Sequence, residues 1–522
     1  MSANSESERR YNAVPYMSKP YVDTHPDRLS TVARLLGHPA ADCRRCRVLE
    51  IGCGLGGNLV PMGASLPDSQ FRGFDLSPVQ IEMAKKLARD VGVDNVQFDV
   101  GDILDIADLG TFDFVIAHGV YSWVPPVVRD ALLALVQRCL APHGVGFISY
   151  NTFPGWGTRA PVRDLMQFAG RTHSEPADVI ASGRSVLTLA ARLAPQGPHR
   201  DMLRQHEKLL ADLPDGYVFH DFLSHINEPV WFTDFAEHLA AHNLSFLSEA
   251  TFSDVMGADL HPDASPIIQG MPDRLRREQY KDFLKNRGFR SSLVVHAQAE
   301  PDYRPTVERI APLRVNSLVE AVDELDLTEG VEVDFKDRDG RMFGTSRALL
   351  KAALLELNLA RPRNMPVEEV IVRSRARLGR GADTRSADRA ALLKNLFYLY
   401  TKKLCDLQQR TFMVASELTD RPRASVLARI AIEQDAFYIA NGRHESVVLG
   451  GRFERALLQL LDGERDRDQL VDALVEVILG GGLSVKTEAG EIIDDREILV
   501  DAMQTALPDG LEALRLLALV EA

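Results

Sequence analysis

The stretch Arg47–Asn58, RVLEIGCGLGGN, decides the fold. An apolar strand, Val48–Ile51, runs straight into a glycine-rich turn and then a helix near Gly57–Ser65. Gly52, Gly54 and Gly56 read as GxGxG. Glycines let a backbone turn sharply and approach a ligand that a side chain would exclude. Taken alone the loop is ambiguous, because Gly52, Gly54 and Gly57 also satisfy the dinucleotide fingerprint GxGxxG.

The neighbours favour S-adenosylmethionine. Glu50 stands two positions before the first glycine, an acidic-x-Gly-x-Gly pattern that orders the loop around the amino-acid end of that cofactor. Asp75 ends the second strand, where a carboxylate can accept both ribose hydroxyls. Gly101-Asp102 follows the third strand, the position for an acid facing the adenine amine. Asn58, Leu76, Ile103 and His118 complete the expected cofactor contacts. The competing reading for each carboxylate is a solvated loop residue; their placement after successive strands argues for the set.

Working outward, strands read at Gln70–Asp75, Val96–Asp99, Phe112–Ala117 and Val145–Asn151, with helices at Pro78–Val91 and Pro126–Leu140. Such alternation builds a parallel sheet with right-handed crossovers. Two further strands are expected late, at Leu244–Ala250 and Phe289–Ala297, after an amphipathic helix over Thr233–His242. The final strand is expected to run antiparallel. Residues 158–228 then form a mostly helical insertion, with helices over Ala181–Ala194 and Met202–Leu213. It lies near the carboxyl edge of the sheet, as a lid or a dimer contact.

Beyond Glu300 the alternation stops. A strand–turn–strand reads at Val331–Phe343, then helices at Arg347–Leu359, Val367–Leu378 and Ala387–Leu407. Strands near Phe412–Leu418 and Ala436–Ala440 and helices near Phe453–Leu461 and Asp468–Leu479 complete the tail. The fold class is α/β: a Rossmann-like class I methyltransferase sheet with a helical insertion, plus a C-terminal α+β winged-helix-like region. Residues 1–298 make the cofactor domain, 299–410 a middle accessory domain and 411–522 a C-terminal one.

For the methyl acceptor, the fourth strand ends in His118-Gly-Val-Tyr-Ser-Trp-Val-Pro125, and the Asn-Pro-Pro-Tyr of many amino-group methyltransferases is absent. His118, Tyr121 and Asn151 are the catalytic candidates. Tyr11, Tyr16, Trp123, Tyr150 and Trp156 are the candidates for an acceptor pocket, where aromatic faces attract a cation by roughly 0.5–2 kcal/mol. Each aromatic could equally be a packing residue.

At 522 residues with 45% hydrophobic content the chain can build several cores. No apolar run reaches the roughly 18–20 residues that span a bilayer, and the polar start Met1–Arg10 lacks a signal-peptide core. A cytoplasmic protein without membrane partners is expected. The net charge of −14 argues against non-specific nucleic-acid binding and leaves room for a basic substrate. Acidic residues likewise interrupt the arginine-rich stretch 361–389. Five cysteines do not suggest a disulfide framework, and Cys43/Cys46 lack the second pair that a structural zinc wants, so no metal is expected.

The block YNAVPYMSKPYVDTHPDRL (11–29) resembles one group of enzymes, as do HGVYSWVP (118–125), SYNTFPGW (149–156) and the segment His220–Ala250. The group is the methyltransferases that carry a methyltransferase regulatory domain, among them the rickettsial-type protein lysine methyltransferases that modify outer membrane proteins. The resemblance covers nearly the whole chain. It implies a homodimer with a helical dimerisation region, and protein lysine as acceptor. The residues themselves leave two other functions open: a small-molecule methyltransferase of secondary metabolism, and a non-catalytic cofactor-binding regulator whose C-terminal region contacts a partner or DNA.

Overall fold

The computed structural model describes residues 12–14, 16, 18–106, 108–486 and 492–521. Two compact units emerge: residues 1–18 with 32–303, and residues 19–31 with 304–522.

The first unit is built on a seven-stranded sheet in the order β3-β2-β1-β4-β5-β7-β6. Strands β1 (Arg47–Ile51), β2 (Gln70–Asp75), β3 (Val96–Val100), β4 (Phe112–Ala117) and β5 (Leu140–Asn151) pair in parallel. Helices α1 (Leu59–Ser65), α2 (Pro78–Val91) and α3 (Pro126–Cys139) make the crossovers. A sheet covered on both faces needs apolar residues on both sides of its strands. Accordingly the last four residues of β4, Phe114–Ala117, are all buried. Ser77 caps α2 by accepting from the Gln80 amide, Pro78 opens it, and Gly92 closes it at φ 78.

The chain then leaves the sheet for α4 (Ala160–Gly170), α5 (Pro176–Leu193), α6 (Pro198–Ala211) and α7 (Asp215–Asp221). They pack around their own core of Val162, Met166, Leu187, Leu203, Val218 and Phe222. The chain returns through α8 (Phe232–Ala241), β6 (Leu244–Glu249), α9 (Arg274–Lys285) and β7 (Phe289–His296). Strand β7 pairs antiparallel with both β5 and β6, so the expected late closure of the sheet is what the structure shows.

A buried ion network holds that closure. Arg290 on β7 is fully buried and donates to Glu249 on β6 at 2.6 Å and to Asp282 on α9 at 2.8 Å, with Phe232 4.1 Å from its guanidinium. Arg287 adds contacts to Glu249 and Asp282 at 3.2 Å each. Where β5 ends, Gly155 abuts the turn before β7. A Cβ there would lie 2.2 Å from the Asn286 carbonyl oxygen, so only glycine fits.

In the second unit, the hairpin Val333–Asp337/Met342–Thr345 and the helices Ala348–Leu359 and Val367–Arg377 lie where the sequence places them. Two expectations are corrected. The helix expected over Ala387–Leu407 ends at Thr401, because Cys405–Gln408 pairs as a strand with Arg314–Ser317. Phe412–Leu418 forms no strand; Phe412 and Val414 instead pack against Ala518. The C-terminal part comprises helices Val426–Glu433, Arg452–Leu460, Arg467–Leu479 and a 21-residue helix, Arg496–Leu516, that pattern reading missed. Several arginines of the 361–389 stretch are engaged in ion pairs: Arg375 and Arg380 with Asp388, and Arg389 with Glu308 and Glu368. Residues 19–31 join this unit through Asp27, whose carboxylate accepts from the Gln409 and Arg410 amides.

Candidate functional site

Between β1 and α1 the backbone passes through Gly52, Gly54 and Gly56 at φ of 74°, 52° and 75°. These left-handed conformations favour glycine. Side chains would also collide: a Cβ on Gly52 would sit 2.8 Å from Val120 Cγ2, and on Gly56 2.9 Å from the Phe98 ring. The carboxylate of Asp75 fixes the loop, accepting from Gly54 N and from Ser77 N at 3.0 Å each. Desolvation pushes this carboxyl above its ordinary value. Asp75 thus stands at the tip of β2 with a loop-holding role that strand-end logic alone did not reveal.

Glu50 is 4% exposed. Its Oε1 accepts from Asn58 Nδ2 at 2.7 Å, while Oε2 is buried without a hydrogen-bond partner. Burial pushes its carboxyl up to about 8, against the opposing Asn58 hydrogen bond. A buried acceptor facing a glycine cradle suits a ligand that brings a donor, preferably a cationic one. The tip of β3 meets the same edge: Gly101 N donates to Asp75 O at 3.0 Å, and Asp102 Oδ1 accepts from Leu104 N. Leu76 and Ile103 are half-buried beside them. The residues present therefore fit a nucleoside with an amino-acid end.

At the ends of β4 and β5, Ser149 Oγ accepts from Gly119 N at 2.8 Å and lies 3.0 Å from His118 Nδ1. Asn151 donates through Nδ2 to Asn227 Oδ1 at 3.1 Å, and the Nδ2 of Asn227 is buried without a partner. Tyr121 and Tyr150 pack towards α8. The Tyr121 hydroxyl reaches His238 on α8 at 2.8 Å, and its ring packs edge-on to Phe235. Burial pushes that hydroxyl up to about 12, unsuited to a base. Tyr150 is 1% exposed, stacks 4.1 Å from Phe235 and bonds Ser292. Both are core residues between the sheet and α8, because alternation along β5 sends Ser149 and Tyr150 to opposite faces.

Trp123 and Trp156 do meet, edge to face at 6.4 Å, with Arg163 over Trp123 at 5.7 Å. Arg163 donates to the Asp221 carbonyl at the end of α7. Tyr16 donates its hydroxyl to Asp221 Oδ2 at 3.2 Å, and His220 donates to Val14 O. Tyr11 lies outside the described residues. The N-terminal strap that carries Tyr16 also crosses the glycine loop: Ser18 Oγ accepts from Gly57 N at 2.7 Å, and Asn12 Oδ1 accepts from Ser77 Oγ. Asp221 escaped sequence reading, since nothing near it in sequence marks it. Desolvation pushes its carboxyl up to about 7, while Tyr16 and Arg163 oppose the rise.

Cys43 and Cys46 are buried and form no disulfide, with Cys46 Sγ donating to Cys43 O at 3.3 Å. No helix among the described residues is long and apolar enough to cross a membrane.

Comparison with known proteins agrees with this architecture. Residues 48–144 match the family described as "Methyltransferase domain", residues 214–296 "Predicted methyltransferase regulatory domain" and residues 420–519 "PKMT, C-terminal winged helix domain". The chain is 30% identical over 498 residues to an uncharacterized protein of Rickettsia prowazekii (strain Madrid E), covering 94% of this chain and 89% of that protein. A second uncharacterized protein of that organism is 35% identical over 230 residues, 44% of this chain and 92% of its own length. The solved structure of PKMT2 from Rickettsia typhi in complex with AdoHcy matches with a TM-score of 0.87 at 26% identity, covering 97% of this chain and all of that one. The cofactor is S-adenosylmethionine. With glycine cradle, sheet order and full-length relatives in agreement, the chain belongs to the class I S-adenosylmethionine-dependent methyltransferases of the rickettsial PKMT type.

Proposed function

We propose that this methyltransferase acts on the side-chain amine of protein lysine. The observation that carries the reading is the Asp221 carboxyl, bonded by Tyr16 on the strap whose Ser18 meets the glycine loop: an acid so placed suits an ammonium group. The whole-length likeness to PKMT2 supports it.

Glu50, Gly52, Gly54, Gly56, Asn58, Asp75, Leu76, Gly101, Asp102, Ile103 and His118 would hold the cofactor, with Glu50 at its cationic amino-acid end. When bound, S-adenosylmethionine supplies an electrophilic methyl group on a sulfonium. The chain must align the amine for in-line attack, exclude water and take up the amine's proton. A lysine pKa of about 10.4 places the neutral amine roughly 4–5 kcal/mol uphill at pH 7. Asp221 first pairs with the ammonium and then shares its proton, and the Tyr16 hydroxyl steadies the ionised carboxylate. Asn151 and Asn227 orient the approaching chain through amide hydrogen bonds.

Ionisation of Asp221 on passing about pH 7 makes the rate rise across that window. Asp221→Asn should lower kcat by about 10²–10³ and abolish that limb of the pH profile. The decisive experiment incubates labelled cofactor with host lysate and separates protein from small-molecule counts. Label on protein, acid-stable and lost after lysine blocking, supports the proposal; label confined to small molecules sinks it. The helical insertion leaves Phe168, Leu189, Leu193 and Leu209 exposed, and we assign these apolar side chains to a homodimer contact.

A further inference from the structure

We propose that Asp130, His238 and His242 bind one divalent transition-metal ion of the zinc type, between α3 and α8. Their ligand atoms all lie within 4.8 Å of one another, the single such convergence of His, Cys, Asp and Glu among the described residues. His238 and His242 are four apart, so the end of α8 presents both on one face. Asp130 comes from the first turns of α3. His242 Nε2 lies 2.8 Å from Asp130 Oδ1 and His238 Nε2 3.6 Å from it.

Those separations bracket the tetrahedral edge. Metal–nitrogen and metal–oxygen bonds of about 2.0–2.2 Å put neighbouring ligand atoms about 3.3–3.6 Å apart. Small side-chain adjustments would therefore bring the Asp130 oxygen and the two imidazole nitrogens to bonding distance of one ion. Two neutral imidazoles and one carboxylate give a local charge suited to a dication and a donor set suited to zinc rather than magnesium or calcium. The adjacent Arg129 is held by Glu228 at 2.6 Å, which offsets its charge.

A metal-bound imidazole generally donates its other nitrogen to an oxygen, which fixes its tautomer. His238 has that oxygen in place: the Tyr121 hydroxyl lies 2.8 Å from Nδ1. With Nε2 on the metal, Nδ1–H donates to Tyr121. Asp130 is 67% exposed, so the fourth position opens to solvent and the ion can exchange. The ion ties α3 to α8 and, through Tyr121, reaches the segment between β4 and Trp123.

The test strips the full-length chain with a chelator and titrates Zn²⁺ against a chromophoric chelator. One equivalent should bind, and His242→Ala and Asp130→Asn should each weaken it at least tenfold. Tyr121→Phe should weaken it by about tenfold while keeping the stoichiometry. Zn²⁺ should raise the melting temperature of the parent chain and not that of His242→Ala. With Co²⁺ as probe, a spectrum free of thiolate charge transfer is expected. Binding that survives both ligand substitutions, that vanishes in Cys43→Ser, or that is not stoichiometric overturns the site.

Discussion

At the scale of the residue, Glu50 is the informative side chain. Burial pushes its carboxyl up to about 8, against about 4.3 for a free glutamate, which favours the protonated acid at pH 7. A group raised in this way weakens the fold as pH rises from the ordinary glutamate range toward 8, because only the unfolded chain then ionises freely. A cationic ligand opposite Oε2 restores the charge, and the proton must leave. Calorimetric titration of the cofactor in buffers of differing ionisation enthalpy should show release approaching one proton per chain near pH 7. Glu50→Gln should bind more weakly by roughly 1–3 kcal/mol and release none. Glu50 and the three glycines were legible because their chemistry is local to one loop. Asp221 was not, because its surroundings are assembled from a strap some two hundred residues earlier. For Tyr121 and Tyr150 the sequence left pocket and packing open alike, since facing is set by strand alternation and by α8, which packs from far along the chain.

Among the elements, β6 and β7 complete a sheet begun about two hundred residues before, at Arg47, and Arg290 is their common anchor. Arg290→Ala removes the cation shared by Glu249, Asp282 and Glu278, leaving Arg287 and Lys281 to balance three buried acids, and should cost roughly 3–5 kcal/mol in chemical denaturation. The deficit should shrink on acidification, since protonated carboxyls need no guanidinium, and burial already pushes Asp282 up to about 6. An unchanged deficit from pH 8 to 5 would place the loss in packing alone. Elements with strong periodicity or clean caps were read to within a residue or two: β2, α2 and β4 run as the sequence indicates. Cys405–Gln408 was lost inside a helical reading because its strand state comes only from pairing with Arg314–Ser317. The helix Arg496–Leu516 was missed through Pro508 and the glycine-rich stretch before it.

For the whole molecule, the proposed homodimer is the property to measure. The insertion exposes Phe168 at 67% and Leu193 at 66%, which a lone chain in water tends to avoid. Light scattering on the native chain should give about twice the monomer mass of 57.9 kDa, and Phe168→Asp combined with Leu193→Asp should return the monomer without changing helix content. A native monomer at micromolar concentration removes the proposal.

The detour of the chain between β5 and β7 also sets a schedule for synthesis. Strand β5 ends at Asn151, and its neighbour β7 is not finished until His296. At about 5–20 residues per second a ribosome needs roughly 7–30 s to cover that interval. Throughout it, the edge of β5 and the apolar face later covered by α8 stand open on the nascent chain. A cell making this protein must shield that edge for many seconds, and a gene fragment ending after β5 should aggregate rather than yield a small cofactor-binding domain.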